Sequence, residues 1–450
     1  AWVPTLYFAE GLPYFLVNVI SVTMFKRLGM DNAELAFYTG LLYLPWVAKP
    51  LWGPFVDLLR TRRWWVLATQ ATLAATFAAL AAAVAPASFA VPLALFYVAA
   101  LASATHDIAA DGYYMAALDG HGQSLFVGLR ATFYRISSVF AQGVLVVAAG
   151  LLEERLGDVP RAWALTLGAC SGVLALLALY HVWALPRAEV PPPAAGLPAR
   201  EALGAAWAII AAFFARPGAA AAVAFLLLYR LPEALCAKVL QPFLLDPREV
   251  GGLALSTAQS GLVYGTVGVV ALLAGGVLGG LAAARWGLQK CLWPMALSLA
   301  VPCAAYLYLA LARPPLPVVY ACVAFDQLGY GFGFTACLLF MMWFSRGRHA
   351  TAHYALCTAF MALGMMLPGA VAGWLQERLG YAGFFAAVLA ACLGTVAAAL
   401  LVRVDPGYGR QGAPDGAAGD ARGNAGADID FQSTTLSAAG ANRPGGKEQR

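Results

Sequence analysis

Two aspartates stand where an apolar run of bilayer length ends. In the stretch 104–118, Ala-Thr-His-Asp-Ile-Ala-Ala-Asp-Gly-Tyr-Tyr-Met-Ala-Ala-Leu, Asp107 and Asp111 are four residues apart. On a helix they share one face, with Tyr114 one turn further along it. An ionised Asp at membrane depth costs roughly 2.5 to 3.5 kcal/mol on insertion scales, so this face is expected to line a substrate or ion path rather than meet lipid. Two carboxyls held close together out of water are suited to taking up and releasing a proton. Glu10, in the first apolar run, is a third such acid, and Pro13 behind it is expected to break that helix around a central site. Arg230, Pro232 and Glu233 offer a counterpart in the second half of the chain, where Arg230 and Glu233 can also neutralise each other. Lys49 and Arg135 suit a substrate carboxylate, Lys as a point charge and Arg as a fork. Arg135 reads as the deeper residue and Arg130 equally as an interfacial one, with Lys238 open between the two roles. Asp326, Gln327 and Tyr330 form a looser polar cluster, flanked by Gly329, Gly331 and Gly333, which permit close helix approach.

The elements that position these side chains must be membrane helices. Charged residues are 11% of the chain and hydrophobic ones 61%, against about a quarter charged in ordinary soluble domains. The apolar runs are of helix length and lack the ten-residue alternation of barrel strands. Twelve spans are expected, near residues 2–24, 35–58, 64–85, 91–117, 126–151, 162–185, 218–243, 254–284, 290–311, 316–343, 351–375 and 381–402. The connection after the sixth holds the Pro-rich Val190-Pro191-Pro192-Pro193 and then a helix over 200–215 lying at the membrane surface or under the bundle. Lys and Arg in the short loops favour both termini on the cytoplasmic side.

Other chemistries find little support. No P-loop, Gly-x-Ser-x-Gly or His-Glu-x-x-His pattern is present, which argues against an enzyme or an ATP-driven pump, and no cofactor is expected. The eight cysteines lack Cys-x-x-Cys spacing and read as small buried hydrophobes. His349 and His353 are the sole histidine pair at helical spacing, and read as a solvated helix start rather than a metal site. The net charge of +5 lies mainly in loops and tail, with no basic face to hold nucleic acid.

The halves repeat. Gly150-Leu-Leu-Glu-Glu-Arg-Leu-Gly157 after the fifth span returns as Gly373-Trp-Leu-Gln-Glu-Arg-Leu-Gly380 after the eleventh, and Gly53 to Arg63 is echoed weakly by Gly280 to Lys290. The expected organisation is a six-helix bundle over 1–185, a cytoplasmic linker over 186–217, a second bundle over 218–404 and a disordered tail over 405–450. Two such bundles facing one crevice are the arrangement for alternating access.

The Gly53-Pro-Phe-Val-Asp57-Leu-Leu-Arg60-Thr-Arg62-Arg63 loop resembles the cytoplasmic signature of the major facilitator superfamily, with Leu58 and Arg60 departing from it. Leu44-Pro-Trp-Val-Ala-Lys49-Pro-Leu-Trp52, Phe8-Ala-Glu-Gly11-Leu-Pro13, the His106-to-Asp111 motif and Tyr229-Arg230-Leu-Pro-Glu233 resemble its AmpG-like muropeptide permease branch, which is related to acetyl-CoA transporters. That branch commonly has Gln where His106 stands. The resemblance implies an all-α fold of twelve transmembrane helices in two pseudo-symmetric bundles, acting as a monomer in a bacterial inner membrane. It implies proton-coupled import of an anhydromuropeptide-like sugar-peptide. Alternatives are another organic anion or sugar, including an acetyl-CoA-like thioester, or a receptor or scaffold that transports nothing. Asp107, Asp111, Glu10 and Glu233 are then the proton-coupling candidates, with Lys49, Tyr114, Arg135, Arg230, Asp326, Gln327 and Tyr330 for the substrate. Gly53, Asp57, Arg62, Arg63 and Arg285 are expected to form a conformational latch between the halves.

Overall fold

A computed structural model of the protein describes residues 2–84, 89–118, 120–187, 199–347, 350–406 and 408. All regular structure among them is helical, and ten helical segments are long and apolar enough to cross a membrane. The expected twelve are reached because one segment is double and one is split. Ala350–Leu401 is two spans run together, turned at Gly380, which lies outside helical geometry at φ 66. The second span is divided into Asn32–Leu41 and Leu44–Leu59, with Pro45 in the first turn of the second piece, so neither piece alone has bilayer length. The linker helix is present as Ala199–Phe214, and Phe213 packs on Phe344, His353 and Phe360 under the second half. His353 is therefore no solvated helix start: its Nδ1 lies 3.0 Å from Arg216 Nη1. The Pro-rich stretch at 191–193 and the tail over 409–450 lie outside the described residues. Beyond 404, the Leu288 amide donates to the Tyr408 carbonyl at 2.9 Å and the Arg346 guanidinium covers the Tyr408 ring.

The first span bulges rather than breaks. Trp2–Phe15 carries Pro13 and passes directly into a π turn, Leu16–Ile20, before Ser21–Arg27. The wider turn absorbs the donor that proline lacks while keeping the helix continuous. The fifth and eighth spans carry π turns at Phe140–Leu145 and Gly261–Gly268, and they cross there. Gly265 lies so near the Gln142 carbonyl that a Cβ would have no room.

Buried apolar side chains segregate by half. Two clusters, one from Leu12 to Leu174 and one from Trp2 to Leu185, hold the first six spans, and two more, within residues 213–404, hold the last six. Tyr43, Ala234, Met365 and Met366 form a small cluster shared between them.

At one end the halves are gripped by polar bonds. Asn32 Nδ2 donates to Gln376 Oε1 at 2.6 Å and to Tyr381 Oη at 3.0 Å, while Lys26 pairs with Asp246 at 2.7 Å. In the pseudo-symmetric position Thr257 Oγ1 donates to Glu153 Oε2 at 2.6 Å, and Glu153 also accepts from Arg27 Nε at 3.0 Å and Trp163 Nε1 at 2.8 Å. Gly150 abuts Ala258 of the other half, and Gly373 abuts the Asn32 carbonyl. Both glycines head the eight-residue repeat, Glu153 and Gln376 are its fourth residues, and Gly157 and Gly380 end it at φ 63 and φ 66. The duplicated motif is thus the closing device of this end.

Candidate functional site

The acids of the fourth span, Ala90–Ala117, face into the first half, where each meets a cation. Lys49 of the second span bonds Asp107, and Arg130 of the fifth pairs with Asp111 at 2.8 Å. Tyr7 of the first span donates its hydroxyl to Asp111 Oδ1 at 2.9 Å. The Arg130 guanidinium lies 4.5 Å from the centre of the Tyr7 ring and 5.6 Å from that of Tyr114, so two aromatic faces and a carboxylate hold it. Glu10 is brought beside this group because Gly11 lets the first and fifth spans touch: a Cβ there would meet Ser137 and Tyr134. Glu10 is buried, its Oε2 has no hydrogen-bond partner, and Asp107 and Asp111 are its acidic neighbours. Three acids against two bases leave this cluster one proton or one cation short of balance.

About a third of the Asp111 and Arg130 side-chain surface and a fifth of Lys49 and Asp107 stays open, although the group lies among four spans. The acids therefore face cations and a tyrosine of the neighbouring spans, with part of their surface left open. Arg130, which the sequence left open between a cavity and an interfacial role, belongs to this cluster. Arg135, the preferred residue, stands by Tyr134 and within electrostatic range of Tyr330 in the other half, with no hydrogen bond or ion pair among the described residues. Arg130→Lys keeps the charge but loses the stacked planar group. It should lower the initial uptake rate in membrane vesicles about five- to ten-fold, the scale of one partly desolvated cation–π contact.

The second half contributes a smaller group. The seventh span is interrupted between Ala219–Leu228 and Leu231–Leu245, with Pro232 in the first turn of the second piece, and Arg230 occupies the break. Its guanidinium holds Glu233 through two bonds of 2.7 Å, donates to the Tyr330 hydroxyl at 2.8 Å and lies over Phe334. Asp326 is held within its own half by Tyr306 at 2.7 Å and Gln327 at 2.9 Å. These two bonds occupy one oxygen of Asp326 and the amide of Gln327.

Of the expected latch residues, Arg63 bonds within its own half. Arg63 donates to the carbonyls of Val182 at 2.6 Å and Leu185 at 3.3 Å, and Arg62 lies against Gly112. Arg285 is exposed and stacks on Trp286, and a Cβ on Gly53 would meet open space. The Asp57 side chain lies outside the described ones. Apart from the bond of Lys238 to the Asn18 carbonyl within the spans, the described hydrogen bonds and ion pairs between halves gather at the opposite end, where sequence reading placed no site residue; the repeat was the available signal. A second feature passed unnoticed. His106 turns away from Asp107 into the core, where Gln70 links it to His181 at 2.9 Å on each side, and His181 reaches Thr5 at 3.0 Å. The His106 departure thus falls in the packing behind the site, where its ring bonds Gln70. All eight cysteines are unpaired.

A family model described as the Major Facilitator Superfamily matches residues 5–345. The anhydromuropeptide permease of Escherichia coli (strain K12) is 26% identical over 411 residues, which are 90% of this chain and 80% of that protein. A putative transporter, AmpG 4 of Rickettsia conorii, is 20% identical over 84% of this chain and 89% of its own length. The structure of a D-xylose-proton symporter superposes with a TM-score of 0.66 at 13% identity, covering 90% of this chain and 96% of that one. With its all-helical architecture and a family match over most of its length, this membrane transporter belongs to the Major Facilitator Superfamily.

Proposed function

We infer that the protein is a proton-coupled importer of an anhydromuropeptide-like sugar-peptide, working by alternating access between halves at 1–185 and 218–404 joined by a linker at 186–217. The observation that carries the reading is the cluster of Glu10, Lys49, Asp107, Asp111 and Arg130, gathered from four spans, partly open and short of one positive charge among its members. A proton supplies that charge. The name of the Escherichia coli relative supports the substrate class. Arg135 and the Arg230–Glu233 pair supply charge and forked donors for the peptide end, and Tyr114 and Tyr330 hold the cations in place. With both termini in the cytoplasm, the gripped end is the outer one, so the chain is shut to the outside in this state. The protein acts as a monomer in the bacterial inner membrane.

Uptake of a labelled anhydromuropeptide by a strain lacking its own permease tests this. Accumulation that collapses with an uncoupler and is competed by unlabelled muropeptide is the expected result. Competition by simple sugars or a nucleotide thioester instead, or no counterflow of any of them in reconstituted vesicles, overturns it. Arg135→Ala should raise the half-saturating concentration about ten-fold for a peptide-bearing substrate, the scale of one lost charge-assisted bond, and change the bare disaccharide little.

A further inference from the structure

Lys238 of the seventh span is among the most deeply buried large side chains, 1% exposed. Its Nζ donates to a single acceptor, the main-chain oxygen of Asn18 at 3.0 Å, and sits 5.2 Å from the centre of the Tyr43 ring. Both partners belong to the other half, so the amine lies on the seam that must part when the halves rock. Its stem rests against Gly369 of the eleventh span, and Asn18 lies in the π turn of the first. The ionisable neighbours are Tyr14 and Tyr43 from the first and second spans. The eleventh span contributes Met365 and Met366, and on its own span Arg230 and Glu233 bind each other. No carboxylate among the described residues pairs with Nζ, whereas Lys49, Arg130 and Arg230 each have one. The Asn18 Oδ1 atom beside it is also buried without a partner. An ammonium has three donors to satisfy, and one carbonyl with a ring face leaves much of its hydration unreplaced.

We propose that Lys238 is a proton-carrying group of the transport cycle, charged when the seam is open to water and neutral when the halves close on it. On closing, Nζ passes one proton to water in the crevice and keeps two N–H groups, one on Asn18. On opening, water returns the proton, and nothing else is consumed. The idea rests on alternating access but on neither the substrate nor Asp107.

The test therefore needs no substrate. Spin labels at Arg155 and Arg248, exposed positions on the two halves at the gripped end, report its opening by distance. One titrating proton gives an open-to-closed ratio that rises as pH falls below the ordinary lysine pKa of about 10.4, by up to about ten-fold per pH unit. This slope should fall by up to about ten-fold per pH unit, one proton's worth, in Lys238→Met and in Lys238→Arg, which cannot shed its proton. The ion pairs of Lys26 and Arg27 and the acids around Asp107 are the same in all three proteins and cancel in the comparison. A flat wild-type profile, or an undiminished slope in either variant, overturns the proposal. If the Arg variant melts early, the Met variant decides alone.

Discussion

Asp107→Asn should erase accumulation driven by a proton gradient while substrate exchange continues. One coupled proton sustains about a ten-fold concentration ratio per unit of pH difference, equal to about 1.4 kcal/mol, so the variant's ratio should fall to near one. The geometry singles out Asp107 from Asp111. Asp107 is held by Lys49, a flexible point charge, and has Glu10 beside it, whereas Asp111 is fixed by a stacked guanidinium and a tyrosine hydroxyl. A proton arriving at Asp107 competes with one lysine; at Asp111 it must displace a braced network. Asparagine preserves the shape and a bond to Lys49 but does not titrate. Counterflow and gradient-driven uptake in the same vesicles separate the two functions, and undiminished accumulation in the variant removes Asp107 from the coupling step. Asp111→Asn, in contrast, should weaken both modes together, because it frees Arg130 and Tyr7.

Gly373→Leu should stop transport by wedging the gripped end apart. Its new Cβ would land on the Asn32 carbonyl, a backbone atom that no change of rotamer moves aside. Overpacking of this kind costs up to about 3 kcal/mol, or roughly 100-fold in the closed-to-open ratio. The cores of the separate halves are not touched, so the variant should still insert and purify as a folded monomer. Uptake should drop by about that factor, while a cysteine placed at Thr257 becomes reactive to a membrane-impermeant thiol reagent. Gly172→Leu is the control, because nothing lies within 4 Å of a Cβ there. Equal losses in both variants would show that glycine at 373 serves helix packing in general rather than closure.

Composition and apolar run length were enough to read the helices, their number and the duplicated halves, because the bilayer demands satisfied backbone bonds and fixes span length. The acids were legible for the same reason: a carboxylate at membrane depth needs an explanation. Their partners were not. Lys49 and Asp107 are 58 positions apart and Tyr7 and Asp111 are 104 apart, so those pairings depend on how spans pack. Arg130 was left open between a cavity and an interfacial role because the sequence does not show that its helix begins at Gly120, which sets Arg130 ten residues, or about 15 Å, along it. The cross-half bonds escaped because residues such as Asn32 and Gln376 are uncharged and sit near loop ends, where polarity is ordinary.

The wrist-to-wrist hold at the closed end is reciprocal: each half offers a glycine notch with a Glu or Gln to its neighbour and receives one in return. A single ancestral six-helix unit meeting an identical copy would have found this handshake twice over, with no linker. Severed between the bundles and produced as two polypeptides, the halves should find each other again in the membrane, which co-purification of separately tagged pieces checks.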